Sequence, residues 1–121
     1  MLDHISLQCD DLAASRRFYE KLLAPLDVSV FMEHDEVVGF AGPDGQPRFW
    51  LGVSRGGRQR EVHVAFSSPD RATVDAVHQV AVGMGAEILH EPRVWPEYHP
   101  GYYGVFVRDL DGNNVEAVSH Q

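Results

Sequence analysis

The feature that most constrains this chain is an internal repeat. Residues 3–11, DHISLQCDD, and residues 62–70, VHVAFSSPD, align with His4 on His63 at an offset of 59 residues. A repeat is read before any single motif, because each copy has to be one supersecondary unit. In the first copy Ile5, Leu7 and Cys9 alternate with His4, Ser6 and Gln8; in the second Val62, Val64 and Phe66 alternate with His63, Ala65 and Ser67. Strict alternation is the period of a half-buried strand, so each histidine opens a strand and points away from its apolar face.

A helix is expected after each strand. The first has Asp10 or Asp11 as N-cap, carries Leu12, Phe18, Tyr19, Leu22 and Leu23 at helical spacing, and stops at Pro25. The second has Ser68 as N-cap and Pro69 at its first position, with Val74, Val77, His78 and Ala81 along one stripe and Gly83 and Gly85 at its end. Short strand-like runs follow: VSVFME, EVVGFAG and RFWLGV in the first half, AEILHE, YYGVFVRD and NVEAVS in the second. Turns before the last run match as Pro43-Asp44-Gly45 and Leu110-Asp111-Gly112. Each half therefore reads β-α-β-β-β. Between the turns the offset has grown to 67, placing eight extra residues of the second copy within EPRVWPEYHPG, residues 91–101. Its aromatic and proline content suits an ordered loop over a site.

The 121 residues match one domain of ~100–200 residues. Module one covers about 1–53, SRGGRQR at 54–60 is the joint, and module two covers about 61–121. Arg55, Arg58 and Arg60 in the joint read as a solvated linker. The formal net charge of −8 repels phosphate backbones and anionic lipid, so nucleic acid and membrane surfaces are not expected partners. The N-terminus has no basic stretch and no segment approaches the ~20 apolar residues of a membrane span, so the expected setting is cytoplasmic. Cys9, the single cysteine, alternates with Ile5 and Leu7 and reads as a small core residue.

His4, His63 and Glu116 occupy equivalent inward positions on the opening strands and on the last strand. Two imidazoles and a carboxylate suit a divalent transition metal with open positions, and Fe, Mn, Ni, Zn and Co are all compatible. His99 and Tyr102, at the end of the extra loop, are the candidate catalytic residues, since an imidazole or phenol beside a metal moves a proton or holds a substrate oxygen. Phe49, Trp50, Trp95 and Tyr103 are candidate substrate-binding residues that would wall an apolar pocket. His34, His78, His90 and His120 stand in exposed or helical contexts and are assigned no role. Asn113 and Asn114 are accounted for by turn chemistry.

The duplication, with DHISLQCDDLAASRRFYEKLLAPL, EVHVAFSSPDRATVDAV and HPGYYGVFVRDLDGNNVEAV, resembles the vicinal oxygen chelate superfamily over essentially the whole chain. That group contains glyoxalase I, extradiol dioxygenases, and the fosfomycin and bleomycin resistance proteins; the HPGYYG and DGNN stretches are similar to a glyoxalase-like bacterial subgroup. The resemblance implies an α+β fold of two tandem βαβββ modules whose curled mixed sheets surround a cavity, and a homodimer. It also implies His4, His63 and Glu116 as metal ligands. A fourth ligand, Glu or Gln in glyoxalase I, is expected on RFWLGV; matching the turns puts Phe49 opposite Glu116, and a slip of one residue puts Trp50 there. The expected function is a metal-dependent lyase or dioxygenase acting on a small substrate with vicinal oxygens. The alternative is a metal-free protein that sequesters an apolar compound, as the bleomycin resistance members do.

Overall fold

In the computed structural model, which describes residues 1–121, the chain divides into two compact units, Met1–Gln59 and Arg60–Gln121. The first contains β1 (Ile5–Cys9), α1 (Leu12–Leu23), a 3-10 turn (Ala24–Leu26), β2 (Ser29–Glu33), β3 (Val37–Ala41) and β4 (Pro47–Val53). The second contains β5 (His63–Ser67), α2 (Arg71–Gly83), β6 (Ile88–Val94), β7 (Tyr103–Arg108) and β8 (Asn114–Ser119). Each is a βαβββ unit. Their sheets have the orders β1-β4-β3-β2 and β5-β8-β7-β6, parallel at β1/β4 and β5/β8 and antiparallel elsewhere. The fold is thus α+β with two mixed four-stranded sheets.

Helix entry differs from expectation in the second unit. Asp11 caps α1, its carboxylate accepting the Ala14 N–H at 3.0 Å, but α2 is capped by Asp70 and begins at Arg71. The Asp70 carboxylate accepts both the backbone N–H and the hydroxyl of Thr73, at 2.8 and 2.7 Å, while the Ser68 hydroxyl donates to the Asp70 carbonyl. A carboxylate that gathers two donors outcompetes a serine hydroxyl for the cap. Those bonds hold the Asp70 pKa below its usual value. A depressed carboxylate stabilises the fold above its unfolded pKa, and the benefit disappears as pH falls through the folded value. Asp70→Ala is therefore expected to lower the thermal midpoint at pH 7, with the deficit shrinking below pH ~3.8; a deficit unchanged between pH 7 and pH 3 contradicts this assignment.

In unit one, Phe18, Tyr19, Leu22 and Leu23 of α1 are buried, as are Leu7, Cys9, Val38, Phe40, Phe49 and Leu51 of the sheet. Phe49 lies between the rings of Tyr19 and Phe40, at centroid distances of 4.9 and 5.7 Å. In unit two the buried stripe Val74, Val77 and Ala81 of α2 packs against a sheet whose Val105, Val107, Val115 and Ala117 are buried. The opposite sheet face is the one that carries His63 and Glu116.

Strand register identifies the counterpart of Glu116. Ile5 pairs with Phe49 and Ser6 with Trp50; Val64 pairs with Val115 and Ala65 with Glu116. Since Ser6 and Ala65 are repeat equivalents, Trp50 occupies the position of Glu116, and Phe49 that of Val115. The turn glycines Gly45 and Gly112 are 67 residues apart, yet Trp50 and Glu116 are 66 apart. The difference is a bulge: Phe40 pairs with Phe49 but Ala41 pairs with Pro47, so Arg48 is an extra residue on β4. A bulge inverts the parity of everything beyond it.

Candidate functional site

The site is built on the β5/β8/β7 face of unit two. His63 is the first residue of β5 and Glu116 the third of β8. Ala65 and Phe106 flank Glu116 in register, so its side chain leaves the sheet on the same face as Phe106. Glu116 is only 1% exposed, which is far from the solvated strand residue its type alone suggests. It is retained there because both carboxylate oxygens are used. The Tyr102 hydroxyl donates to Oε2, and His63 Nε2 lies 2.8 Å from Oε1. The His63 side chain is 52% exposed, so a half-exposed imidazole sits on a buried carboxylate.

Tyr102 reaches this carboxylate because the chain reverses just before β7. Trp95 N–H donates to the Tyr102 carbonyl at 2.8 Å and Tyr102 N–H to the His99 carbonyl at 3.1 Å, closing residues 95–102 as a compact loop. The first four residues of the segment expected to be loop are strand, since β6 continues to Val94. Room for the phenol comes from Gly104: a Cβ there would lie 3.1 Å from Glu116 Oε2 and 3.5 Å from the Tyr102 ring. Burial, and then the hydrogen bond to Glu116, push the Tyr102 phenol above its ordinary pKa. Tyr102 therefore keeps its proton and acts as a donor.

The other candidate residues are distributed as follows. His99 Nε2 lies 2.8 Å from His120 Nδ1, and His99 Nδ1 accepts the Gly101 N–H at 3.1 Å. The two imidazoles stack and both meet the Tyr102 ring edge-on. Nothing in the sequence but the place of His120 after the last strand signals this contact. Trp95 is buried against Phe106, its indole N–H donating to the Gly104 carbonyl at 3.2 Å, with Arg93 stacked over it. Tyr103 faces the other way: its hydroxyl donates to Asp75 of α2 at 2.7 Å. Phe49 is in the core of unit one, whereas Trp50 is on the opposite face, its indole against Gly39 and its N–H donating to the Pro47 carbonyl at 2.8 Å. A Cβ on Gly39 would come within 2.7 Å of that indole, so only glycine permits the ring to lie there. Arg55 of the joint pairs with Glu36.

His4 belongs to unit one and immediately precedes β1 rather than opening it. Its Nδ1 is 2.7 Å from Asp3 Oδ1, and that contact holds the Asp3 pKa down. A carboxylate on one imidazole nitrogen is the usual support of a metal-binding histidine, because it fixes the tautomer that leaves the other nitrogen bare. No three His, Cys, Asp or Glu side chains are gathered into a group able to hold a metal ion; the convergent donors are His63 and Glu116. Their 2.8 Å separation fits two adjacent positions of one cation, since bonds of ~2.0–2.2 Å at a right angle put donor atoms about 3 Å apart.

A family model described as Glyoxalase/Bleomycin resistance protein/Dioxygenase superfamily matches residues 1–117. The chain belongs to that superfamily. A glyoxalase/bleomycin resistance protein from Albidiferax ferrireducens T118 has a similar structure, with a TM-score of 0.82 and 21% identity, covering 96% of both chains. Lactoylglutathione lyase from Agrobacterium tumefaciens superposes with a TM-score of 0.74 and 23% identity, covering 96% of this chain and 90% of that one. At these identities the likeness is one of fold. An uncharacterized protein of Bacillus subtilis, YqjT, is 26% identical and covered over 98% of each chain. As a member of this superfamily, the protein carries its convergent acid and imidazole on the second copy of the βαβββ unit. No helix is long and apolar enough to cross a membrane.

Proposed function

We propose that the protein is a metal-dependent enzyme of the glyoxalase/dioxygenase type, acting on a small substrate with two adjacent oxygens, with His63 and Glu116 of the second unit as ligands of a divalent transition metal and His4 as the ligand-type residue that the first unit offers. The observation that carries this reading is the 2.8 Å approach of His63 Nε2 to a buried carboxylate. Superfamily membership supports the general class of chemistry, and the Asp3 contact supports the role of His4. Bound at these donors, a divalent cation supplies Lewis acidity toward substrate oxygens.

The chain's own residues do the rest. Tyr102 holds the Glu116 carboxylate in one orientation and keeps a proton at its hydroxyl. Trp95 and Phe106 exclude water from one flank of the acid. His99, locked between Gly101 and His120, frames the phenol and is the second proton-handling candidate. Trp50 in the place equivalent to Glu116 removes a fourth protein ligand, so isomerisation of a glutathione hemithioacetal is expected to be weak beside turnover of substrates that chelate through two oxygens.

The test is a metal titration of the protein prepared without an affinity tag. Wild type is expected to take up one equivalent of Fe, Mn, Ni, Zn or Co, His63→Ala to lose affinity by about tenfold or more, and His34→Ala, a turn residue of unit one, to be unchanged. Retained occupancy in His63→Ala refutes the ligand set. A second reading, metal-free sequestration of an apolar compound, is favoured by the Trp50 indole, whose N–H is already satisfied. Uptake below about a tenth of an equivalent of every metal selects that reading.

A further inference from the structure

The side-chain oxygen of Asn114 is the one buried side-chain acceptor without a hydrogen-bond partner. Such atoms are rare in folded proteins and call for an explanation. Asn114 is the first residue of β8, pairs directly with His63 of β5, and so leaves the sheet on the same face as the imidazole. Its backbone is fixed, with Asn114 N–H donating to the Val62 carbonyl at 2.9 Å. On its other flank stands Arg108, the nearest competing donor by register. That guanidinium is committed elsewhere, to the Gly112 carbonyl and to Glu61. Neighbouring Asn113 is fully explained, bonding Val62 and Asp109, so turn chemistry accounts for one asparagine and not for the other.

The proton inventory of His63 points to a partner that the oxygen does not engage in this structure. Glu116 accepts from His63 at Oε1, so in this arrangement the imidazole hydrogen is on Nε2. For Nε2 to donate its lone pair to a cation, that hydrogen has to move to Nδ1, where it needs an acceptor of its own. We propose that Asn114 is the positioning residue for His63: its side-chain oxygen accepts the Nδ1–H of the imidazole and holds Nε2 as the bare, metal-facing nitrogen. This rests on the metal reading above and assigns the orphaned oxygen to that same site.

Zinc serves as the diamagnetic probe, with affinity measured by competition against a chromophoric chelator and the His63 tautomer read from 15N–1H correlations of the ring. In wild type, zinc is expected to convert His63 from the Nε2–H to the Nδ1–H form. Asn114→Leu, similar in size but without an acceptor, is expected to weaken zinc by about 10–100-fold and to erase the Nδ1–H signal. Asn114→Asp keeps the acceptor and is expected to stay within about threefold of wild type. Thermal midpoints confirm that both variants fold. Zinc binding and tautomer unchanged in Asn114→Leu overturn the positioning role and leave the metal reading intact, as does an Asn114→Asp variant as weak as the leucine. A wild-type protein that takes up no zinc and keeps Nε2–H overturns both.

Discussion

Glu116→Gln is expected to leave the protein folded and to weaken divalent metal by about 100-fold or more, because a neutral amide of the same shape replaces the anionic donor. The amide still fills the space left by Gly104 and still offers an oxygen to Tyr102 or to His63, although not to both at once. Glu116→Ala is a different experiment. From sequence the position faces a cavity, and truncation there would leave the fold near wild type. In the structure the side chain is buried and accepts two hydrogen bonds, so its removal opens a void and strands the Tyr102 hydroxyl. The expected cost is about 2–3 kcal/mol, most of it from the phenol, since the half-exposed His63 is rehydrated. Chelator competition and urea denaturation on both variants separate the two effects. A glutamine variant that binds metal as wild type does, or an alanine variant of wild-type stability, contradicts the account of this residue.

Phe49→Ala is expected to produce the largest loss of stability, about 3–5 kcal/mol, or roughly 10–20 °C in thermal midpoint for a domain of this size. The ring is 4% exposed and contacts Tyr19 and Phe40, so its deletion leaves a cavity the sheet and α1 cannot close. Trp50→Ala, from the opposite face of the same strand, is expected to cost less than half as much, because the indole is partly solvent-exposed and lies over a glycine. Equal stability losses, or a larger one at Trp50, contradict the placement of the two rings.

These two residues show how far sequence reading reached. Alternation along RFWLGV establishes that Phe49 and Trp50 face opposite ways, and the repeat establishes that one of them answers Glu116. Which one does is decided by Arg48, the extra residue of the β3/β4 hairpin. A bulge leaves no mark in a pattern of apolar and polar residues, because the strand on each side of it keeps its period of two. Matching the turns therefore points to Phe49, and the bulge selects the one-residue slip to Trp50. Similarly, YYGVFVRD announces a strand, but only the packing of α2 sends Tyr103 to Asp75 and leaves Tyr102 to turn toward Glu116.

Legible from residue order alone are the βαβββ duplication, the two helices, and the core stripes of Phe18, Tyr19, Leu22 and Leu23 and of Val74, Val77 and Ala81. Each of these follows from a local period or from self-similarity, which a linear chain displays in full. Packing and hydrogen-bond competition set the rest: that Glu116 is buried rather than solvated, that Tyr102 covers it, that Asp70 and not Ser68 caps α2, that His120 meets His99, and that the Asn114 oxygen is left without a partner. For Glu116 the outcome depends on side chains that reach it from 14 and 53 residues away in sequence, and for the α2 cap on which of two neighbouring side chains gathers the Thr73 donors. Hydrogen-bond competition at such contacts is settled by geometry within a few tenths of an ångström, a quantity that neither residue type nor spacing encodes.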